Sequence, residues 1–328
     1  MVRSPAHAHR LIQLALAACV LVAGSSAAFA QYPDRPIRLI LPFPAGGTVD
    51  LVARLVTAKM SEDLGKPFVI DNRSGAGGVI AADATAKAAP DGYTLLLTTP
   101  NHTIGAALNP SLPYNTEKDF APVSIVAEIP ELLVSHPGAP FQDFKGFVEY
   151  ARANPGKLNY SSAGIGTLPH VTMELLLRNM NIKVAHIPYR GAAPAVTDLL
   201  AGQVQLKMDT YATANPLVAE GKLRALAYAA RSRLQHMPNV PTVAEMGNPG
   251  YEGILWMGIV APAGTPKAVI DKLAAASARA VNDPELRARF TRDGIDPVGN
   301  TPQQFSAIIA RELVQWRDLV KSANIKPE

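Results

Sequence analysis

The sequence predicts an α/β protein of two units, each a sheet covered by helices. Three observations predict it. Short apolar or β-branched runs alternate with helical ones, a second series of the same kind begins near Pro130, and Gly and Pro mark the junctions instead of collecting in one linker. In the first unit Ile37–Leu41 reads as a strand, followed by a Pro- and Gly-containing loop and a helix over 49–64 that Gly65 stops. Then come a strand over 68–71, a glycine-rich segment at 74–78, an Ala-rich helix to Ala88, the turn Pro90-Asp91-Gly92 and a strand over 93–98. That succession implies a mostly parallel sheet.

In the second unit, 141–153, Leu168–Met180 and 194–201 read as helices, and 158–161, 184–189, 204–208 and 223–229 as strands. A Pro-rich stretch over 237–249 leads to an apolar strand at 255–260 and to helices over 266–281, 284–293 and 302–321. There is no tandem repeat and no low-complexity tract.

Arg3 and Arg10 flank the start of an uncharged apolar run over 11–24, and Ala28-Phe29-Ala30 has the small-x-small form that signal peptidase cuts after. A signal peptide over 1–30 is expected, because the run is shorter than the roughly 20 apolar residues of a membrane span. Leu16-Ala17-Ala18-Cys19 resembles a lipoprotein box, so anchoring at Cys19 is the alternative. Those two arginines are the only charged residues of the first thirty, and cleavage lowers the formal charge from +4 to about +2. Such a balance leaves no footprint for nucleic acid. Cys19 is the single cysteine, so the chain beyond residue 30 has no disulfide, thiolate metal site or cysteine nucleophile, and no later segment approaches a membrane span.

Each unit offers a strand, a loop of small residues and a helix start. Ligands of such sheets sit beyond the carboxyl ends of the strands. The first amides of a helix lack partners and its dipole favours an anion. In the first loop, Phe43, Ala45, Gly46, Gly47 and Thr48 are therefore candidates: the glycines let backbone approach a ligand, Thr48 would cap the helix and Asp50 would complement its dipole. Ser162, Gly164, Gly166 and Thr167 repeat the device, with Pro169 in the first turn. Such glycines also serve simply as tight turns, and 74–78 reads as a close-packed turn of that kind. It is no dinucleotide fingerprint, because Ile80 stands where a third glycine belongs.

Asn101 and His102, with Thr99, follow a strand and either line the cleft or are ordinary loop polarity. His170 is a ligand contact or a half-buried structural histidine. Arg190 pairs with a distal carboxylate or ties its unit together, and Asp209 meets a ligand or caps local backbone. Phe305 and Trp316 read as core, and Trp256 as near the join between units. No G-x-S-x-G or H-E-x-x-H occurs, and the histidines beyond residue 30 (102, 136, 170, 186 and 236) include no i, i+4 pair.

Six segments carry a resemblance. They are Phe43-Pro44-Ala45-Gly46-Gly47-Thr48-Val49-Asp50, Asp71-Asn72-Arg73-Ser74-Gly75-Ala76-Gly77-Gly78, Ala89-Pro90-Asp91-Gly92-Tyr93-Thr94, Ser162-Ala163-Gly164-Ile165-Gly166-Thr167, His186-Ile187-Pro188-Tyr189-Arg190-Gly191 and Pro241-Thr242-Val243-Ala244-Glu245. In order and spacing they resemble the Bug receptors, the substrate-binding proteins of tripartite tricarboxylate transporters, over about 32–325. Two departures stand out. Thr99-Pro100-Asn101-His102 replaces a small Ser/Thr loop, and Val171 follows His170 where leucine is common.

The resemblance implies a type II periplasmic binding protein-like fold: two α/β lobes with a ligand cleft and a hinge. One lobe would be 31–130 plus 251–328 and the other 131–250, with two crossings between them. It further implies a periplasmic, monomeric receptor, without cofactor or metal. That receptor would capture a small carboxylate, held largely by backbone amides and bridging waters, and deliver it to the membrane permease subunits of the transporter. Alternatives from other classes are a sensory receptor that presents its ligand to a membrane kinase, and an exported hydrolase.

Overall fold

The computed structural model describes residues 32–234 and 237–326. The predicted signal peptide, its cleavage site, Cys19 and His236 lie outside the described residues.

Strand β1 (Ile37–Leu41) pairs in parallel with β2 (Phe68–Asn72) and β3 (Thr94–Thr98). Helices α1 (Thr48–Leu64) and α2 (Val79–Ala86) make the crossovers, the second preceded by a 3₁₀ turn at Ala76–Gly78. Gly65 closes α1 in the left-handed conformation, at φ 68°, with its N–H on the Ser61 carbonyl. After β3 come α3 (Asn101–Leu108) and then β4 (Phe120–Ser135), a strand of 16 residues.

From Phe120 to Pro130, β4 runs antiparallel to β9 (Ile254–Pro262), and β9 in turn lies antiparallel to β3. From Glu131 to Ser135 it pairs instead with β7 (Leu206–Thr210) on one side and β8 (Arg224–Ala229) on the other. β5 (Asn159–Ser162) and β6 (Ala185–Pro188) extend the sheet in parallel beyond β7. The chain passes through α4 (Phe144–Ala153), α5 (Leu168–Met180), α6 (Ala192–Leu200) and α7 (Tyr211–Ala219) in this part. It finishes with α8 (Lys267–Val281), α9 (Pro284–Arg292), the short β10 (Asp296–Pro297) on β4, and α10 (Pro302–Ser322).

The mostly parallel sheet expected from strand–helix alternation is thus corrected to a mixed one. Each half is parallel where helices make the crossovers. β4 and β9 carry the chain between the halves and so run against their neighbours. The long strand escaped the sequence reading because prolines interrupt it. Pro122 sits at a register shift against β9, and Pro130 is the last residue before the change of partner. The helices α3 and α7 were also missed; α7 contains Pro216. The helix predicted from 141 starts at Phe144, because Asp143 accepts the Gly146 N–H as its cap. α10 opens with a capping box, Thr301 with Gln304, ahead of Pro302. Its Phe305 and Trp316 are buried as expected, and Trp256 on β9 meets the Phe305 ring edge-on at 5.3 Å.

Polar groups are buried where the chain changes halves. The Glu131 N–H donates to the Gly253 carbonyl, and its side chain accepts a hydrogen bond of 2.5 Å from Thr172 on α5. Burial pushes the Glu131 carboxyl up to about 8, so it is neutral at pH 7. Arg231 joins Glu128 and Glu252, each at 3.1 Å, over the same region. Because the folded protein holds the Glu131 proton more tightly than the unfolded chain does, this contribution to stability is full below the unfolded pKa. It is lost as pH rises from about 4.5 through 8. Glu131→Gln, neutral at every pH, should gain on the wild type as pH rises from 5 to 8, with a slope approaching about 1.4 kcal/mol per unit. Urea unfolding at three pH values measures it, and a difference that ignores pH contradicts the assignment.

Candidate functional site

A cleft with a cavity volume of about 310 Å³ opens beyond the carboxyl ends of β1, β2, β3 and β5. Each strand contributes its following loop: Pro42 and Phe43 after β1, Ala76 to Val79 after β2, Thr98, Thr99, Asn101 and His102 around the end of β3, and Ile165 to Thr167 after β5. Three helix starts reach the lining, at Val79 of α2, Asn101 of α3 and the N-cap Thr167 of α5. Leu108, Leu112 and Tyr114 are also part of the lining.

Of the residues singled out in the sequence, Phe43, Thr99, Asn101, His102, Gly166 and Thr167 line this cavity. Ala45, Gly46, Gly47, Thr48, Ser162, Gly164, His170, Arg190 and Asp209 do not. The first loop is exposed from Pro44 to Thr48, and the Gly46 N–H is taken by Asp50 at 3.1 Å. Gly47, not Thr48, is the N-cap, and Thr48 is the first helical residue. Asp50 is buried and also receives two hydrogen bonds from Arg54, at 2.9 and 3.0 Å, and one from Asn72 at 3.0 Å. The Arg54 hydrogen bonds foremost, with those from Gly46 and Asn72, hold its carboxyl down near 2 against the opposing effect of burial. Asn72 bonds the Phe43 carbonyl as well, so this cluster ties the lining residue Phe43 to β2.

The second loop is held by its own side chains. Thr167 Oγ1 donates to the Gly164 carbonyl at 2.7 Å, and Gly166 N–H donates to His170 Nδ1 at 3.0 Å. Ser162 is fully buried; its Oγ lies 2.7 Å from His186 Nε2 and also bonds the Gly164 backbone. A serine so placed ties the loop and is closed to a substrate, although the Ser–His contact looks like part of a hydrolytic pair. His170 stacks on His186 at 4.1 Å, and Tyr160 stacks on the other face of His186 at 4.8 Å.

Arg190 is exposed, with the neighbouring amides of Tyr189 and Gly191 bonded to the Ser162 and Ala163 carbonyls. Asp209 is buried, 3.0 Å from Lys207, and accepts the Thr210 N–H, so it does cap local backbone. The sequence reading treated 74–78 as structure only, yet Ala76, Gly77 and Gly78 form part of the cleft wall. Four successive residues, 75–78, have positive φ, which requires a glycine-rich stretch whatever the loop does. That overlap of signals hid the second role.

The lining residues include no Asp, Glu, Lys or Arg. His102 is buried, edge-on to Phe120 at 4.8 Å and stacked with Tyr114 at 5.8 Å; burial lowers its pKa to about 4, and its Nε2 has no hydrogen-bond partner. The next residue, Thr103, donates to Glu312 of α10 at 2.6 Å, and the same carboxyl receives Trp256 Nε1 at 2.7 Å. Among the described residues no cluster of three or more His, Cys, Asp or Glu could hold a metal ion.

Burial lowers His170 to about 3, with His186 adding to the effect, and lowers His186 to about 4. A histidine kept neutral by the fold contributes stability that is full above the unfolded value near 6.5 and is lost as pH falls through the folded value. His170→Asn removes that dependence, so the variant should recover about 2 kcal/mol relative to the wild type between pH 7 and pH 5. Denaturant unfolding at the two pH values tests this, and an unchanged difference would mean that His170 titrates normally.

The family described as tripartite tricarboxylate transporter family receptor matches residues 52–325. Protein BugT of Bordetella pertussis is 37% identical over 297 residues, covering 90% of this chain and 91% of that one. Two solved structures from Rhodopseudomonas palustris superpose over nearly the whole of their chains. Rpa4515 with adipate has a TM-score of 0.78 at 34% identity, covering 90% of this chain and 100% of the other. MatC with bound malate has a TM-score of 0.74 at 37% identity, covering 88% and 100%. The structure of the periplasmic binding protein BugD, at 33% identity and TM-score 0.75, has the same fold. This chain belongs to the tripartite tricarboxylate transporter receptor family, the Bug receptors, and has their two-lobed α/β binding-protein fold.

Proposed function

We propose that this receptor captures a small carboxylate in the cleft between its lobes and delivers it to the membrane permease subunits of a tripartite tricarboxylate-type transporter. The observation that carries the reading is the convergence of three helix starts, at Val79, Asn101 and Thr167, on one cavity without a charged side chain. The N–H groups of Val79 and Thr167 are bonded to the Ala76 and Gly164 carbonyls, so the anion would be stabilised there, without a salt bridge, by the dipole ends and by the first-turn amides left free. Thr99, Asn101 and the neutral His102 supply further hydrogen-bonding groups around it. Phe43, Leu108 and Ile165 offer apolar surface to the rest of the ligand. Relatives with adipate and with malate support a carboxylate, and the family's role in transport supports the permease as partner.

The same reading assigns residues 1–30 to a signal peptide cleaved after Ala30 and the mature protein to the periplasm, as a monomer that binds and releases its ligand unchanged. One lobe comprises 31–130 plus 251–328 and the other 131–250. The first boundary falls where β4 exchanges β9 for β7 and β8 as partners. Ala45, Gly46, Gly47, Thr48, Ser162, Gly164 and His170 shape the two loops, and Phe43, Thr99, Asn101, His102, Gly166 and Thr167 face the ligand.

If helix amides grip a carboxylate, a bound free acid should raise the melting temperature while its methyl ester at the gripped position should not. Dicarboxylates such as adipate and malate are the first probes. At a hundredfold excess over Kd the acid should add about 2.7 kcal/mol of stability. Equal shifts from acid and ester would leave a shape-selective cleft with no anion site. Ligand closure of the two lobes should also reduce the radius of gyration, which small-angle scattering reads. Proven binding with an unchanged radius would remove hinge motion from the proposal.

A further inference from the structure

The two small-residue loops are held by the same hydrogen bond made with different chemistry. α1 follows its N-cap Gly47, and its third residue, Asp50, accepts the Gly46 N–H. α5 follows its N-cap Thr167, and its third residue, His170, accepts the Gly166 N–H. Both glycines have positive φ, 88° and 75°, and both acceptors lie four residues further along. A backbone N–H can only donate, so His170 Nδ1 must carry a lone pair. The ring is therefore uncharged, with its proton on Nε2. Its stacking on His186, itself 2.7 Å from Ser162, keeps that ring in place.

The surroundings explain the difference. The negative charge of Asp50 is met by the paired bonds of Arg54, and its loop from Ala45 to Thr48 stays off the cavity lining. Gly166 and Thr167 do line the cavity, and no basic side chain lines it with them. Gly166 also abuts the far wall: a Cβ there would lie 2.2 Å from Leu108 Cδ1, so small displacements of this residue change the cleft directly. A carboxylate at position 170 would serve as acceptor equally well, but it would bring an uncompensated negative charge to the loop that faces the ligand.

We propose that His170 is a positioning residue, an uncharged acceptor that fixes the Gly166 and Thr167 wall of the cleft without placing negative charge beside a bound anion. The charge clause rests on the carboxylate reading above; the positioning clause does not. Three substitutions separate them. His170→Asn offers an uncharged oxygen close to the Nδ1 position, His170→Asp an anionic one, and His170→Leu none.

In ligand-free protein, hydrogen exchange of the Gly166 amide should stay within about threefold of wild type in the Asn and Asp variants and rise by about tenfold or more in the Leu variant. Imidazole ¹⁵N shifts of the wild type should show the Nε2–H tautomer at His170. In calorimetry with adipate and with malate, the Asn variant should bind within about threefold of wild type. The Asp and Leu variants should be weaker by on the order of tenfold or more. Wild-type-like protection in the Leu variant, or an Nδ1–H tautomer, overturns the positioning clause. Equal affinity of the Asp and Asn variants overturns the charge clause. Wild-type protein that binds neither these nor other small carboxylates overturns the charge clause together with the carboxylate reading, while exchange and tautomer still decide the positioning clause.

Discussion

The change of partner within β4 is the constraint on which the rest of the structure depends. One continuous strand supplies backbone groups to β9 up to Pro130 and to β7 and β8 from Glu131 onward. Every buried amide and carbonyl at this junction needs a partner. The Glu131 N–H finds one in the Gly253 carbonyl, and the Gly253 N–H in the Ala229 carbonyl, so the second crossing is bonded to the first. A carboxyl buried at this place costs least when protonated, which agrees with the raised pKa of Glu131; the hydrogen bond it accepts from Thr172 opposes that rise and burial outweighs it. The two parallel subsheets are thereby joined along one line, and the loops at their strand ends are brought to face each other across the cavity.

What those loops can do follows from how their own backbone is satisfied. Gly46 and Gly166 lie at corresponding positions, and each spends its amide on the helix behind it. A glycine that enters a cleft is easily taken for a ligand contact. Here the amide is an internal fastening that leaves the following helix start to present its own groups. Ser162 behaves alike: its hydroxyl is enclosed between His186 and the Gly164 backbone. Along 162–170 the side chains of Ser162, Thr167 and His170 fasten the loop, while Ile165, Gly166 and Thr167 line the cleft, so that Thr167 does both.

That mixture of fastening and lining marks the limit of what was legible beforehand. Strands β1 and β3 and helices α1, α5 and α10 were readable, because apolar periodicity and terminal signals such as Gly65 and Pro302 agree there. β4 was not, since Pro122 and Pro130 argue against a strand unless its register shift and its change of partner are known. Among the candidate residues, Thr99, Asn101, His102, Gly166 and Thr167, read as following a strand, lie on the cavity lining. Arg190 drew attention as a cation suited to an acid, but it is exposed and is not among the lining residues. The 75–78 segment was misread for the opposite reason: its run of positive φ explains the glycines completely, and their exposure to the cavity leaves no separate trace in the sequence. Tertiary placement decided each of these cases, and local pattern could not.

Glu312 extends the argument from the cleft to the body of the protein. Its carboxyl lies buried between Thr103, two residues into the cleft helix α3, and Trp256 on the crossing strand β9. Two hydrogen bonds of 2.6 and 2.7 Å to a buried carboxyl make a stiff link, because breaking either would leave a desolvated polar group unpaired. Asn101 and His102 are therefore fixed with respect to β9 and α10. The opposing wall at Gly166 is fixed, through His170, to α5 of the other half. In the closure proposed above, each wall would move with its own scaffold, and relative motion would concentrate where Leu108 meets Gly166 and where β4 changes partners. Rigid walls suit a site without charged groups. Amide and hydroxyl dipoles stabilise an anion only when they are held in orientation before it arrives, since dipoles free to turn lose much of that stabilisation to their own reorganisation.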